Sequence, residues 1–214
     1  MHCFLRPKSE FPVFVMRRLT ANQLQCAGNT MPRPRVIGIL REVKGKWERR
    51  VPLVPDQVDQ LTRSGIQVLI QPSERRIFTD EEFRKAGAVV TNDLAPANCI
   101  FGVKEFPLQS LMPNKSYMIF SHTIKAQSYN MPFLDACLSQ KVRLYDYECI
   151  RQPESDGGQR LVAFGKYAGI CGMIDCLRGF GARLLALGFS TPFMGAASSY
   201  MYPSVVDAQE AVRI

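Results

Sequence analysis

Four short clusters in the chain carry side chains able to move protons or grip anions. Gly102-Val103-Lys104-Glu105 closes one apolar run. A lysine just past such a run is partly desolvated, which disfavours its charged form and lets it work as a base near neutral pH. Glu105 beside it can hold or tune it. Phe120-Ser121-His122-Thr123-Ile124-Lys125 closes a second run, and histidine shuttles protons in that pH range. Trp47-Glu48-Arg49-Arg50-Val51-Pro52 offers adjacent arginines whose planar forks can pin a carboxylate through two bonds. Tyr145-Asp146-Tyr147-Glu148 supplies carboxylates. Singly, each cluster also fits a plainer role: a solvated loop, a lysine snorkelling to water, a structural histidine, a strand end turning polar. Together they amount to a base, an acid, an anion clamp and carboxylates, a set suited to proton transfer on a small charged substrate.

The elements that must position these residues alternate in type. Short β-branched and apolar runs at 35–40, 67–71, 98–103, 116–121 and 141–147 predict strands, with 88–90 a further strand or a turn. Between them, Asp56 caps a predicted helix that buries Val58 and Leu61 and ends at Gly65. Thr79, three residues before Glu82, opens another that stops at Gly87. A third spans 131–140, with Met131, Leu134 and Leu138 in register. Residues 41–50 and 151–160 read as loops. The order strand, helix, strand, helix predicts an α/β fold with a mostly parallel open sheet flanked by helices. All four clusters then fall at the carboxyl ends of strands, where such folds build sites. The glycine-rich apolar run 166–188 predicts a buried helix whose glycines allow close packing by another domain. Leu184 and Leu185 would be left uncovered without that domain. A loop over 190–203 and a last short helix over 204–213 follow.

Of the 214 residues, 46% are hydrophobic and 21% charged, the balance of a folded domain with one core or slightly more. A net charge of +8 suits nucleic acid, an anionic membrane or small anions. The basic residues are scattered, without interleaved aromatics and without an RNP or zinc-finger pattern, so small anions are the expected partners and nucleic acid is not. No apolar run reaches the roughly 18 residues of a membrane span. Seven cysteines without a CxxC argue against a zinc site and a disulfide framework. Cys99, Cys137, Cys171 and Cys176 sit among apolar residues and read as reduced core cysteines. The first 30 residues set Arg6, Lys8, Arg17 and Arg18 against the single acid Glu10. That is the balance of a mitochondrial transit peptide, although Pro7 and Pro12 interrupt any long amphipathic helix. The alternative is a cytoplasmic protein with a disordered leader or a start at Met16 or Met31. No GxGxxG follows a strand, and Gly179-Phe180-Gly181 lies inside the helical run.

WERRVPLVPDQV, VLIQPSERRIF, AGAVV, GVKEFP, FSHTIKAQ, RLYDYE, LVAFGKYAG and LLALGFSTPFM, together covering about 35–213, resemble the N-terminal domain shared by alanine dehydrogenases, proton-translocating transhydrogenases and saccharopine dehydrogenases. FSHTIKAQ and VLIQPSERR are the specific part. They place the resemblance nearest to the lysine-ketoglutarate reductases of the saccharopine dehydrogenase family and disfavour an alanine dehydrogenase. The resemblance implies a Rossmann-like substrate domain over 35–165, preceded by the leader 1–34. It implies an interdomain helix over 166–214 leading toward a nucleotide-binding domain before which the chain is truncated. Lys104 and His122 fall on the family's catalytic pair and Arg50 on its substrate-binding arginine. Glu105, Lys125 and Glu148 fall on residues that line the site, with Arg49 and Arg160 as further candidates for the substrate carboxylates. The implied reaction joins the ε-amine of lysine to 2-oxoglutarate and reduces the imine with NADPH to saccharopine, and the NADPH site is expected outside these residues. It leaves room for a homo-oligomer. The alternative expectation is a non-catalytic ligand-binding or regulatory fragment lacking the cofactor domain.

Overall fold

Val36–Ile39 and Gln67–Ile70 are the first strands to form from the apolar runs, and they become β1 and β2 of the computed structural model, which describes residues 35–213. The expected leader lies outside the described residues. Between them α1 covers Pro55–Arg63. Val54, not Asp56, is its N-cap residue. Pro55 supplies a backbone already set for a first helical turn, and the Gln57 side chain reaches back to the Val54 amide at 3.1 Å. Asp56 sits instead in the first turn, where its charge favours the helix dipole. After β2, Thr79 caps α2, Asp80–Lys85, as its spacing to Glu82 predicts: Oγ1 accepts from the Glu82 amide at 3.2 Å. β3 is the two-residue strand Val89–Val90, β4 is Cys99–Lys104 and β5 is Ser116–Phe120. Helix α3, Met131–Ser139, β6, Arg143–Asp146, the long α4, Gly165–Ala186, and α5, Val205–Val212, complete the order.

The six strands lie in the order β3-β2-β1-β4-β5-β6, and every pairing is parallel. The chain therefore winds outward from β1 to β3, returns to the middle, and winds outward again from β4 to β6. The switch lies between β1 and β4. Loops leave these two strands in opposite directions, which opens a crevice at their carboxyl ends. Each face of the sheet has its own core. Ile39, Val58, Val68, Ile70 and Phe83 pack on one face, and Leu69, Ile100, Tyr117, Ile119 and Phe133 on the other. Burial of each such side chain contributes about 1.5–3 kcal/mol.

Two further sequence expectations need correction. On α3 the buried face is Phe133 and Cys137, while Leu138 is 69% exposed. Phe133 meets Phe106 edge-on at 5.6 Å, and that large aromatic contact sets the helix rotation. Cys176 lies exposed on α4 rather than in a core; Cys137 and Cys171 are buried, and Cys99 is half-buried. On α4 a close approach among the described residues occurs at Gly181, where an added Cβ would lie 2.9 Å from the Phe193 backbone. At Gly169, Gly172 and Gly179 nothing described lies within 4 Å. Leu185 is exposed as expected, whereas Leu184 is half-buried.

The corrected α3 face predicts a contrast in stability. Phe133→Ala should cost about 3–5 kcal/mol through the cavity it leaves, and Leu138→Ala about 0.5 kcal/mol or less. Urea unfolding of the two variants measures both; equal losses would reverse the assignment of the buried face.

Candidate active site

The strand order does what the linear sequence cannot state: it makes β1, β4, β5 and β6 consecutive neighbours. Each is followed by one of the four clusters. Ionisable groups separated by up to a hundred residues therefore share one edge of one sheet. Lys104 is the last residue of β4, in register with Phe120 of β5, and His122 follows two residues later.

The β5 and β6 ends are locked together by Asp146. This buried carboxylate accepts from the Ser121 amide at 3.2 Å and the Glu148 amide at 2.8 Å, and from the Ser121 hydroxyl. With both flanking residues fixed, His122 adopts φ 56°, in the left-handed region. That conformation costs a non-glycine residue about 1–2 kcal/mol, and here it turns the ring toward β6. Nδ1 lies 2.9 Å from Glu148 Oε2, and the ring stacks on Phe120.

Glu148 is the electrostatic centre of this half. Its side chain is only 6% exposed. Lys125 Nζ lies 3.2 Å and Arg160 Nη1 2.9 Å from Oε1. Burial works against the Glu148 charge, but the hydrogen bonds and charges of His122 and Lys125 outweigh it and hold the carboxyl below the usual carboxylate range. Lys125 Nζ also comes within 3.2 Å of His122 Nδ1. Arg160 arrives because residues 151–160 fold back on themselves through an antiparallel bridge between Arg151 and Arg160.

The β1–α1 loop builds the other half. Arg50 grips Glu48 through two bonds, Nε to Oε1 at 2.8 Å and Nη2 to Oε2 at 2.7 Å, and its guanidinium lies 4.9 Å above the Phe164 ring. Phe164 in turn packs on Phe120, so the residue before α4 joins the two halves. Burial would raise the Glu48 carboxyl, but its bonds to Arg50 and the nearby charge of Lys104 bring it down. Lys44 forms an ion pair with Glu105. Burial, and then the positive charge of Lys104, lower the Lys44 amine. Among the described residues the Lys104 ammonium has no hydrogen-bond or ion-pair partner of its own. It stands half-buried amid charges that are otherwise paired.

Seven of the eight expected site residues, Lys104, His122, Arg50, Glu105, Lys125, Glu148 and Arg160, thus lie along this edge. Among the described residues Arg49 does not join them through a hydrogen bond or ion pair. It turns to the loop after β2, where Nε donates to the Arg75 carbonyl at 3.1 Å. Two residues at the edge escaped the sequence reading, Glu42 and Lys44, while Glu48 and Asp146 stood inside its clusters without a role of their own. Glu42 accepts from the amides of Val103 at 2.6 Å and Lys104 at 3.0 Å. Burial pushes its carboxyl up to about 7, against the pull of those two amides. Glu42 and Lys44 lie in the charged loop 41–50, outside the four clusters, where sequence gives no signal that separates them from solvated charges.

Comparison with known proteins fits this architecture. Residues 38–171 match the family described as alanine dehydrogenase/PNT, N-terminal domain. The chain belongs to that family. Over 178 residues it is 48% identical to the Bos taurus protein named alpha-aminoadipic semialdehyde synthase, mitochondrial, covering 83% of this chain and 19% of that protein. The Arabidopsis thaliana alpha-aminoadipic semialdehyde synthase is 46% identical over 183 residues, 83% of this chain and 17% of its own length. A Yarrowia lipolytica saccharopine dehydrogenase (NAD(+), L-lysine-forming) is 33% identical over 138 residues, 62% of this chain and 37% of that one. The chain therefore spans less than a fifth of the length of the first two. An L-alanine dehydrogenase structure superposes with a TM-score of 0.51 at 23% identity, covering 70% of this chain and 41% of that chain, a likeness of fold. Among the described residues of this alanine dehydrogenase/PNT N-terminal domain no group of His, Cys, Asp and Glu could hold a metal ion, and no helix is long and apolar enough to cross a membrane.

The lowered Glu148 carboxyl predicts a pH dependence. It ionises more readily in the folded than in the unfolded chain, so it stabilises the fold at neutral pH. That contribution is lost as pH falls from the ordinary value of 4.5 through the lower folded one. Glu148→Gln should melt at a lower temperature than wild type at pH 7, and the gap should close toward pH 3. Thermal scans across that range read it; a constant gap would show that the charge does not act this way.

Proposed function

We propose that this domain is the substrate-binding and proton-handling part of an oxidoreductase of lysine breakdown, one that condenses L-lysine with 2-oxoglutarate and reduces the imine to saccharopine. The observation that carries the reading is the unpaired Lys104 ammonium one strand away from a histidine oriented by a buried carboxylate. The likeness to alpha-aminoadipic semialdehyde synthases and to saccharopine dehydrogenases supports the choice of substrates.

Glu148 gives His122 a direction. With the Nδ1 hydrogen donated to Glu148, Nε2 is left with its lone pair as the proton acceptor. Lys104 and His122 then serve as the two proton carriers of amine addition and water loss. Whichever gives up a proton in one step is the acceptor in the next. The cations hold the acids: Lys125 and Arg160 lie beside Glu148, and Arg50 keeps Nη1 for a substrate carboxylate while Glu48 occupies its other two nitrogens. Substrate carboxylates bound here would complete a pattern in which each anion has a cationic neighbour.

The reductant in this reading is NADPH, and its hydride is what converts the imine to the secondary amine. The described residues do not fit a dinucleotide. At the switch-point crevice, where an open parallel sheet receives a pyrophosphate, the β1–α1 turn has no glycine-rich loop. The sheet's share in the reaction is therefore confined to substrate and protons. Mitochondrial residence completes the reading, supported by the acid-poor first 30 residues and by the names of the mammalian relatives.

The test is kinetic, on the protein at the length its source makes it. Lys104→Met and His122→Gln should each lower kcat by about 10²–10⁴-fold in saccharopine formation, and Arg50→Gln should act mainly on KM. Full activity in Lys104→Met would remove the lysine from the mechanism. A wild-type protein that binds 2-oxoglutarate but never turns it over would favour a ligand-binding or regulatory module.

A further inference from the structure

Backbone amides are obligatory donors, so two of them facing the end of a neighbouring strand need an acceptor. Pairing of β1 with β4 ends where the Leu40 amide donates to the Phe101 carbonyl at 2.8 Å. Beyond this point the β1 chain departs into its loop, while β4 continues to Lys104. Successive amides of a regular strand point to opposite sides. The register of β4 against β5 shifts between Phe101 and Lys104, and with that irregularity the amides of Val103 and Lys104 both reach one carboxylate, that of Glu42. The place is tight. A Cβ added at Gly102 would stand 3.1 Å from Leu40 and 3.5 Å from Glu42 Oε1.

We propose that Glu42 is a positioning residue for Lys104: its side chain continues the β1–β4 pairing past the end of β1 and fixes the backbone from which the lysine is presented to the crevice. The proposal rests on the reading of Lys104 as a proton carrier, but its geometry does not. Two forces oppose each other at Glu42. The paired amides favour the carboxylate, and burial favours the neutral acid. Its other charged surroundings are Glu48 and Arg50 of the same loop, and Tyr147 faces it from beyond β6, where burial and the nearby anion raise the phenol. Lys104 reaches this group indirectly, since its charge acts on Glu48. The balance leaves Glu42 half-ionised near pH 7. Protonation there weakens acceptance from one of the two amides, so the clamp loosens as pH falls.

Hydrogen exchange read by mass spectrometry tests the clamp without requiring turnover. In Glu42→Ala, amide protection in peptides covering Val103 and Lys104 should drop by about tenfold, while β5 and β6 peptides keep theirs. Glu42→Gln, which keeps the volume but turns an amide donor toward one of the two N–H groups, should give the same local loss and guards against an unfolded alanine variant. In saccharopine formation by the protein at its natural length, Glu42→Gln should lower kcat by up to about 10²-fold with little change in KM. Wild-type kcat should rise with pH around 7 as Glu42 ionises, and Glu42→Gln should lack that rise, which a purely structural role would leave in place. Lys104→Met should lower kcat by about 10²–10⁴-fold and leave exchange at 103–104 unchanged. Unaltered protection in both Glu42 variants would overturn the inference. A catalytically intact Lys104→Met, with protection still lost in the Glu42 variants, would overturn the reading of the lysine and leave the clamp standing.

Discussion

A parallel sheet has an unpaired backbone wherever one strand outruns its neighbour, and this domain meets that requirement with carboxylates. Regular pairing can satisfy amides only while both strands last. At the switch point Glu42 stands in for the missing length of β1. Between β5 and β6 the same part is played by Asp146, which binds the Ser121 and Glu148 amides. The residues on which the proposed chemistry rests are direct neighbours of these clamps. Val103 and Lys104 are held by one; Ser121 and Glu148, flanking His122 in sequence and in space, by the other. The backbone of the site is tied by side chains at the places where the sheet itself gives out.

Much of this was legible in the sequence, and what was missed has physical causes. Runs such as those around Val36, Val68 and Ile100 are β-branched and bounded by polar or turn residues, so the strands could be read. The Thr79–Glu82 spacing has a mechanism behind it, and the cap formed as that mechanism requires. Strand order is different in kind. It depends on non-local pairing, and nothing local in GVKE or YDYE says that β1, β4, β5 and β6 will be consecutive. Likewise, a periodic apolar pattern on α3 left two rotations open, and Phe133 chose between them because a large aromatic ring buries more than Leu138 could. Cys176 failed for a related reason: an apolar neighbourhood in sequence on α4 does not guarantee a partner surface in space. Glu42 was concealed among the many charges of residues 41–50, where composition cannot distinguish a buried acceptor from a solvated one. The left-handed backbone of His122 carried little signal either: histidine is enriched in that conformation, but most histidines do not adopt it.

The arrangement also explains why so many charges can sit at one edge of a sheet. An isolated buried carboxylate would take up a proton instead of paying the cost of desolvation. Glu148 avoids this with His122, Lys125 and Arg160 around it, and Glu48 does so with the fork of Arg50. Lys125 and Arg160 are each nearly half exposed, so their attraction to Glu148 is partly screened by water and adds little to stability. Their value lies in placement. They keep Glu148 ionised, and an ionised Glu148 keeps the His122 ring where β6 needs it.

Glu42 and Glu148 finally show how environment can divide labour between identical side chains. Both are glutamates at the same sheet edge, both accept hydrogen bonds, and both are shielded from water. Around Glu148 the donors include the cations of Lys125 and Arg160, and the bonds of His122 and Lys125 hold its carboxyl below the usual range against burial. Around Glu42 the donors are neutral amides, which do not overcome burial, and the carboxyl is pushed up to about 7. Groups whose environments separate their proton affinities in this way are suited to different tasks. A carboxylate charged at neutral pH can orient an imidazole there. One that titrates near neutrality can couple the shape of the β4 end to the proton inventory of the crevice. The difference between the two follows from the charge of what donates to each, and that in turn follows from strand order: Glu148 lies among the basic side chains that come after β5 and β6, while Glu42 faces the bare backbone of β4.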